Sequence, residues 1–125
     1  MKGQRDETTR TKNIYTRVLE VMDKEQPYLD PALTLNKLAR IVGTNRSTLS
    51  MVLNSQTKQH FCKWLATYRV NHAIRLMELH PDKILTELYT LSGFSSRTSF
   101  FRQYREMTGK SPREHETDTR SAYEK

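Results

Sequence analysis

Seven cations stand in a stretch of this chain that holds no carboxylate. Residues 31–77 carry Lys37, Arg40, Arg46, Lys58, Lys63, Arg69 and Arg75, and neither Asp nor Glu. The net charge of the whole chain is +7, so this block accounts for all of it while the remaining basic and acidic residues cancel. A long acid-free block suits a polyanion partner better than an evenly spread positive charge does. Other chemistry is poorly provided for. The four histidines, His60, His72, His80 and His115, fall at no metal-ligand spacing. There are no paired carboxylates, no glycine-rich phosphate loop and no nucleophile elbow. The single cysteine, Cys62, excludes an intrachain disulfide and the cysteine-rich zinc frameworks. Its expected place is that of a small core or interface hydrophobe. The expectation is a binding protein, with no enzyme activity, metal or cofactor.

The elements that would position these cations are helical. At 125 residues the chain suits one domain or two small subdomains sharing a core. Four Gly and four Pro leave few breaks. No unbroken apolar span of about 18 residues and no secretory segment appear, so a cytoplasmic protein is expected. Residues 1–11 are polar and unpatterned and are expected to form a disordered leader or linker. A first helix is expected near 12–25, closed by Gln26-Pro27. Thr34 is placed to cap a helix over 35–42, and a second short helix follows over 46–54. Ser55-Gln56-Thr57 reads as a polar turn. A long helix with no Gly or Pro runs from 59 to 80, then two more over 84–92 and 96–107. Gly109 is placed as a terminator, and Ser111-Pro112 could open a last turn. Residues 116–125 read as a frayed tail.

The chain repeats itself once. Leu35, Leu38 and Gly43 recur 50 positions later as Leu85, Leu88 and Gly93. Beyond the turn the offset is 51, with Leu49 and Leu53 matching Phe100 and Tyr104. Each half reads as apolar helix, tight turn, amphipathic helix. Two helices meeting steeply need a small residue where they approach, and Ala39 is placed for that. Apolar residues of each second helix (Leu49, Val52 and Leu53, then Phe100 and Tyr104) pack back on the first, which frees the opposite face for a major groove. The expected architecture is all-α: a helix-turn-helix subdomain over 12–57, a linker helix over 58–80 and a second subdomain over 81–115. The linker has two apolar stripes, Phe61, Trp64, Leu65 and Tyr68, then Val70, Ala73, Ile74 and Met77. One stripe would serve each subdomain. Its length of ~30 Å is close to one turn of B-DNA, ~34 Å, so two reading helices could reach successive major grooves.

These residues resemble a known family. The stretch GFSSRTSFFRQYREMTGKSP at 93–112 is similar to the GFxxxSxFxRxFKxxxGxSP signature of AraC/XylS-type transcription regulators. Gly93, Phe94, Ser96, Phe100, Arg102, Gly109, Ser111 and Pro112 are in place. FCKWLATYRVNHAIRLM resembles the family's linker pattern, and LTLNKLARIVGTNRSTLSMVLN its first unit, in the style of Bacteroides-like members. The resemblance implies about seven helices and binding to double-stranded promoter DNA, activating or repressing transcription, with RNA polymerase as a further partner. It implies base reading by Ser47, Ser50 and Met51 in the first unit and by Arg97, Thr98, Phe101 and Arg102 in the second. Arg97 and Arg102 could each reach guanine O6 and N7, while Thr98 and Met51 could meet thymine methyls. Thr44, Asn45, Arg46, Ser95 and Ser96, at the starts of the reading helices, would hold phosphates.

Some positions depart from the family pattern. Met51 stands where Arg is usual, Tyr89 where a small residue lets the helices close, Ser92 for Val and Ile84 for a polar cap. Tyr89 is expected to tilt outward or to open the second unit slightly. The family also implies a sensor or dimerisation domain, for which this chain has no room, so the expectation is either a fragment or an unusually short family member. The other readings are a helical docking module contacting polymerase or another regulator, and RNA binding, for which no sheet platform or GXXG loop speaks.

Overall fold

The computed structural model describes residues 2–114, with side chains described from Thr8 onward. His115 and the tail 116–125 lie outside the described residues. Among the described residues these α-helices are found: α1 (Lys2–Lys24), α2 (Leu35–Val42), α3 (Arg46–Thr57), α4 (Phe61–Leu79), α5 (Leu85–Leu91) and α6 (Arg97–Thr108). A 3-10 turn at Pro27–Leu29 makes seven, and no strand occurs among the described residues. None of these helices is long and apolar enough to cross a membrane.

The chain divides into two compact units. The first comprises Met1–Pro27 and Ala32–Trp64, the second Tyr28–Pro31 and Leu65–Lys125. In the first, α1 packs on both α2 and α3, and α2 on α3. Ile14, Val18 and Met22 of α1 are buried, as are Leu38, Ala39 and Val42 of α2 and Leu49, Val52 and Leu53 of α3. Fully burying a side chain of this kind stabilises by about 1.5–3 kcal/mol. Burial on this scale lets α1 override the weak local preferences of its own N-terminal end. That end departs from expectation. Residues 1–11 were expected to be unstructured, yet α1 begins at Lys2. Once residues 14–22 are pinned by packing, nucleation has been met, and each further turn costs little to add.

α3 is also longer than expected. Ser55, Gln56 and Thr57 form its last turn rather than a loop. Thr57 Oγ1 donates to the Leu53 carbonyl at 2.6 Å and accepts from Gln59 N at 3.1 Å, so one hydroxyl stitches the helix end to the next segment. Lys58 then ends the helix at φ 61°.

In the second unit, Val70, Ala73 and Met77 of α4 form one core with Leu88, Phe94, Phe100 and Tyr104. Phe100 is its hub, with ring centres 5.1 Å from Phe94 and 5.6 Å from Tyr104. The segment Tyr28–Pro31, counted with the first subdomain on sequence grounds, belongs to this unit. Arg69 explains why. Its Nε donates to the Tyr28 carbonyl at 2.8 Å and an Nη to the Asp30 carbonyl at 2.9 Å. The Tyr28 ring lies 5.3 Å from Tyr68. One cation of the acid-free block is thus committed to holding a backbone segment. Gly93, at φ +90°, faces the same segment: a Cβ there would collide with the Tyr28 carbonyl and lie 2.9 Å from Arg69 Nε.

Two further differences concern single residues. Cys62 is exposed rather than in the core. Tyr89 keeps its place at the edge of the core, half-buried, with its ring 5.8 Å from Phe100 and tilted 37° to it.

Candidate nucleic-acid interface

The two helix-turn-helix units are built by the same backbone hydrogen bonds 50 residues apart. Thr44 N donates to the Ala39 carbonyl at 2.8 Å, and Phe94 N to the Tyr89 carbonyl at 3.0 Å. Each bond closes the first helix of its unit across a glycine, Gly43 at φ 80° and Gly93 at φ 90°. L-residues disfavour that region, so the turn direction is fixed by the missing side chain.

The second helices start alike. Asn45 Oδ1 accepts from Thr48 N at 2.8 Å and caps α3. Ser96 Oγ accepts from Ser99 N at 3.2 Å and caps α6. Two residues expected at phosphates are therefore also the N-caps that orient the reading helices. A cap of this kind is worth about 0.5–2 kcal/mol. α5 differs: Ile84 stands at its N-cap position with no side-chain bond, and is exposed.

The outward faces follow from the buried ones. Leu49, Val52 and Leu53 sink one side of α3, and Ser47, Ser50 and Met51 are exposed on the rest. Met51 is 58% exposed, a large apolar side chain left in solvent. On α6, Phe100 and Tyr104 are fully buried while Arg97, Thr98 and Arg102 are exposed. Phe101 is half-buried against the core, at right angles to Phe100. The Arg97 guanidinium lies over its ring, 4.7 Å from the centroid. Phe101 thus supports a cation from below, a role its expected base contact did not include. At the helix starts Asn45, Arg46, Ser95 and Ser96 are exposed and Thr44 is half-buried.

Polar groups inside the second unit are matched. Ser92 is fully buried, and its hydroxyl lies 3.0 Å from His72 Nδ1. Burial, and then the nearby Arg75 charge, hold His72 below the usual histidine range. Burial also pushes the Tyr104 phenol above its usual range, with the Glu78 charge adding to it. Sequence reasoning noted Ser92 only as a replacement for Val. The partner that makes it tolerable, 20 residues away on α4, carried no local signal. Beyond the turn, Ser111 and Glu114 form a reciprocal capping pair: Ser111 N donates to Glu114 Oε2 and Glu114 N to Ser111 Oγ, each at 3.2 Å. No group of residues that could hold a metal ion occurs among the described residues.

A family described as a helix-turn-helix domain matches residues 38–117. An uncharacterized HTH-type transcriptional regulator of Staphylococcus aureus is 29% identical over 102 residues, 82% of this chain. The match is only 14% of that relative's length, so the chain corresponds to a small part of the curated relatives it matches. Among solved structures, the fold is similar to a transcriptional regulator of Chromobacterium violaceum described as containing an AraC-type DNA-binding domain. The TM-score is 0.73 at 21% identity, covering 89% of this chain and 96% of that one. It is also similar to a DNA-binding transcriptional dual regulator of Escherichia coli K-12, with a TM-score of 0.72 at 20% identity, covering 86% and 93%.

Proposed function

This chain belongs to the AraC-type helix-turn-helix family, DNA-binding domains of transcription regulators, and from that premise we propose that it reads a specific double-stranded site with α3 and α6 in successive major grooves. One observation carries the reading. Each of the two helices sinks one side in its core and leaves the other in solvent: Ser47 and Ser50 with the apolar Met51 on α3, and Arg97, Thr98 and Arg102 on α6.

In this reading Arg97 and Arg102 donate to guanine O6 and N7. Phe101 positions Arg97 and adds an apolar edge. Thr98 and Met51 face thymine methyls, and Ser47 and Ser50 make adaptable contacts. Thr44, Asn45, Arg46, Ser95 and Ser96 hold phosphates at the helix starts and set register without reading sequence. In this reading the chain acts in the cytoplasm, at promoters, beside RNA polymerase.

Selection from a random duplex library tests the reading. Enrichment of one sequence, bound with an affinity that falls steeply with salt, is the expected result. Binding to no duplex, or binding insensitive to salt, would favour a protein-docking module instead.

A further inference from the structure

Beside the reading face of α3 lies a cleft of about 760 Å³ whose other wall is the N-terminal half of α1. Arg10, Ile14 and Arg17 line it from α1, and Thr44, Met51 and Ser55 from the α3 side. The spacing on α1 is i, i+4, i+7, so these three share one helix face. Ile14 is buried and forms the floor, while both arginines are exposed at the rim. Arg17 reaches the helix-turn-helix turn itself: a Cβ added to Gly43 would lie 3.5 Å from its Nη1.

We infer that this cleft seats one sugar-phosphate strand of the bound duplex, gripped by the Arg10 and Arg17 guanidinium groups from α1. The inference rests on the DNA-reading role proposed above and extends the interface to a helix outside the helix-turn-helix unit. Charge decides the occupant. The described lining residues include two arginines and no carboxylate. The hydroxyls of Thr8, Thr11 and Thr44 add donors suited to phosphate oxygens. An apolar peptide would find little here, since Ile14 is only 4% exposed and Met51 is the one exposed large apolar side chain in the lining.

The sequence of α3 makes the contribution necessary. Arg46 is the one cation in its twelve residues, RSTLSMVLNSQT. Positive charge flanking the middle of this reading helix must therefore come from a neighbour, and α1 supplies it. The early start of α1 at Lys2 carries the helix past Arg10 and gives that residue a fixed place on the wall.

The test uses the full chain and a 30-base-pair mixed-sequence duplex, with binding followed by fluorescence anisotropy across a salt series. Each phosphate contact contributes about 0.9 to the slope of log K against log salt. The double variant Arg10→Gln/Arg17→Gln is expected to be shallower than the parent by about 1.8. Lys24→Gln, at the opposite end of α1, keeps the parental slope. Thr11→Lys adds a cation to the cleft and steepens the slope, an effect that a structural role for α1 would not produce. A parent that binds steeply, with the double variant and Thr11→Lys both unchanged from it, overturns the cleft assignment and leaves the reading role standing. A parent that binds no duplex overturns both.

Discussion

The guanidinium of Arg97 lies 4.7 Å above the ring of Phe101, one turn further along α6. Phe101 is in turn fixed at right angles to the buried Phe100. A long exposed cation is thereby tied, through two aromatic rings, to the centre of the second unit's core. Ordering such a side chain on binding ordinarily costs rotamer entropy. Under the proposed reading of DNA by Arg97, part of that cost would be met before the duplex arrives.

Phe101→Leu tests this support. The substitution keeps an apolar residue at the core edge and removes the ring beneath Arg97. Cation–π contacts at exposed sites are worth about 0.5–1 kcal/mol, so affinity for a selected duplex should fall about two- to fivefold. In a double-mutant cycle with Arg97→Ala the two losses should be less than additive. Additive losses, measured by anisotropy, would mean that the ring does not prepare the cation.

Arg102→Ala and Arg46→Ala should separate reading from holding. The first removes a bidentate donor and is expected to cost about 1–3 kcal/mol and to relax preference at one base pair. The second should weaken all duplexes about equally. Competition against single-base variants of the selected site measures both. An Arg46→Ala loss confined to one sequence would contradict its phosphate role.

Glycine substitutions should rank by what a new Cβ meets. At Gly109, with φ +77° and open space around it, Ala should cost about 1–2 kcal/mol, the penalty of a left-handed L-residue. At Gly93 the same penalty adds to a collision with the Tyr28 carbonyl and with Arg69 Nε. A loss above ~4 kcal/mol, or failure to fold, is expected there. Urea unfolding gives the order, and equal losses at the two sites would contradict the packing of Tyr28–Pro31 on the second unit.

His72 predicts a direction of pH dependence. Its proton affinity is lowered in the folded chain, by burial first and Arg75 second. As pH falls through the ordinary histidine value of about 6.5, the unfolded chain takes up the proton before the folded chain does. Stability is therefore fully present above that value and is lost as pH falls toward the lowered folded one. Thermal melts at pH 7.5 and 5.5 should show a larger drop for the parent than for His72→Gln. The same drop in both would remove His72 from the account.

The fold was legible where the pattern was local. Thr34, Gly43 and Gly109 announce their caps and turns through backbone chemistry that no distant residue alters, and the observed caps stand at these positions. The repeat at offset 50 reappears in the paired bonds of Thr44 and Phe94, and the offset of 51 in the N-caps Asn45 and Ser96. What escaped was non-local. The polar run 1–11 gives no periodic signal, and its helix follows from packing that begins at Ile14. Ser55 to Thr57 have turn-like composition, but Thr57 satisfies its hydroxyl on the helix itself. Arg69 reads in the sequence as one more cation for a polyanion, whereas its two carbonyl partners lie about 40 residues away along the chain and leave no local signal. Phe101 was legible as a surface residue of α6, while its partnership with Arg97 depended on how Phe100 turned the ring.

Guanine N7 methylation interference on a duplex selected by the full chain tests the central claim most directly. It reports contacts in the major groove alone. Two clusters of interference centred about 10 base pairs apart are predicted, one weakened by Arg97→Ala or Arg102→Ala and the other unaffected by them. A single cluster, or two that respond together to the α6 substitutions, would contradict a protein that reads neighbouring turns with separate helices.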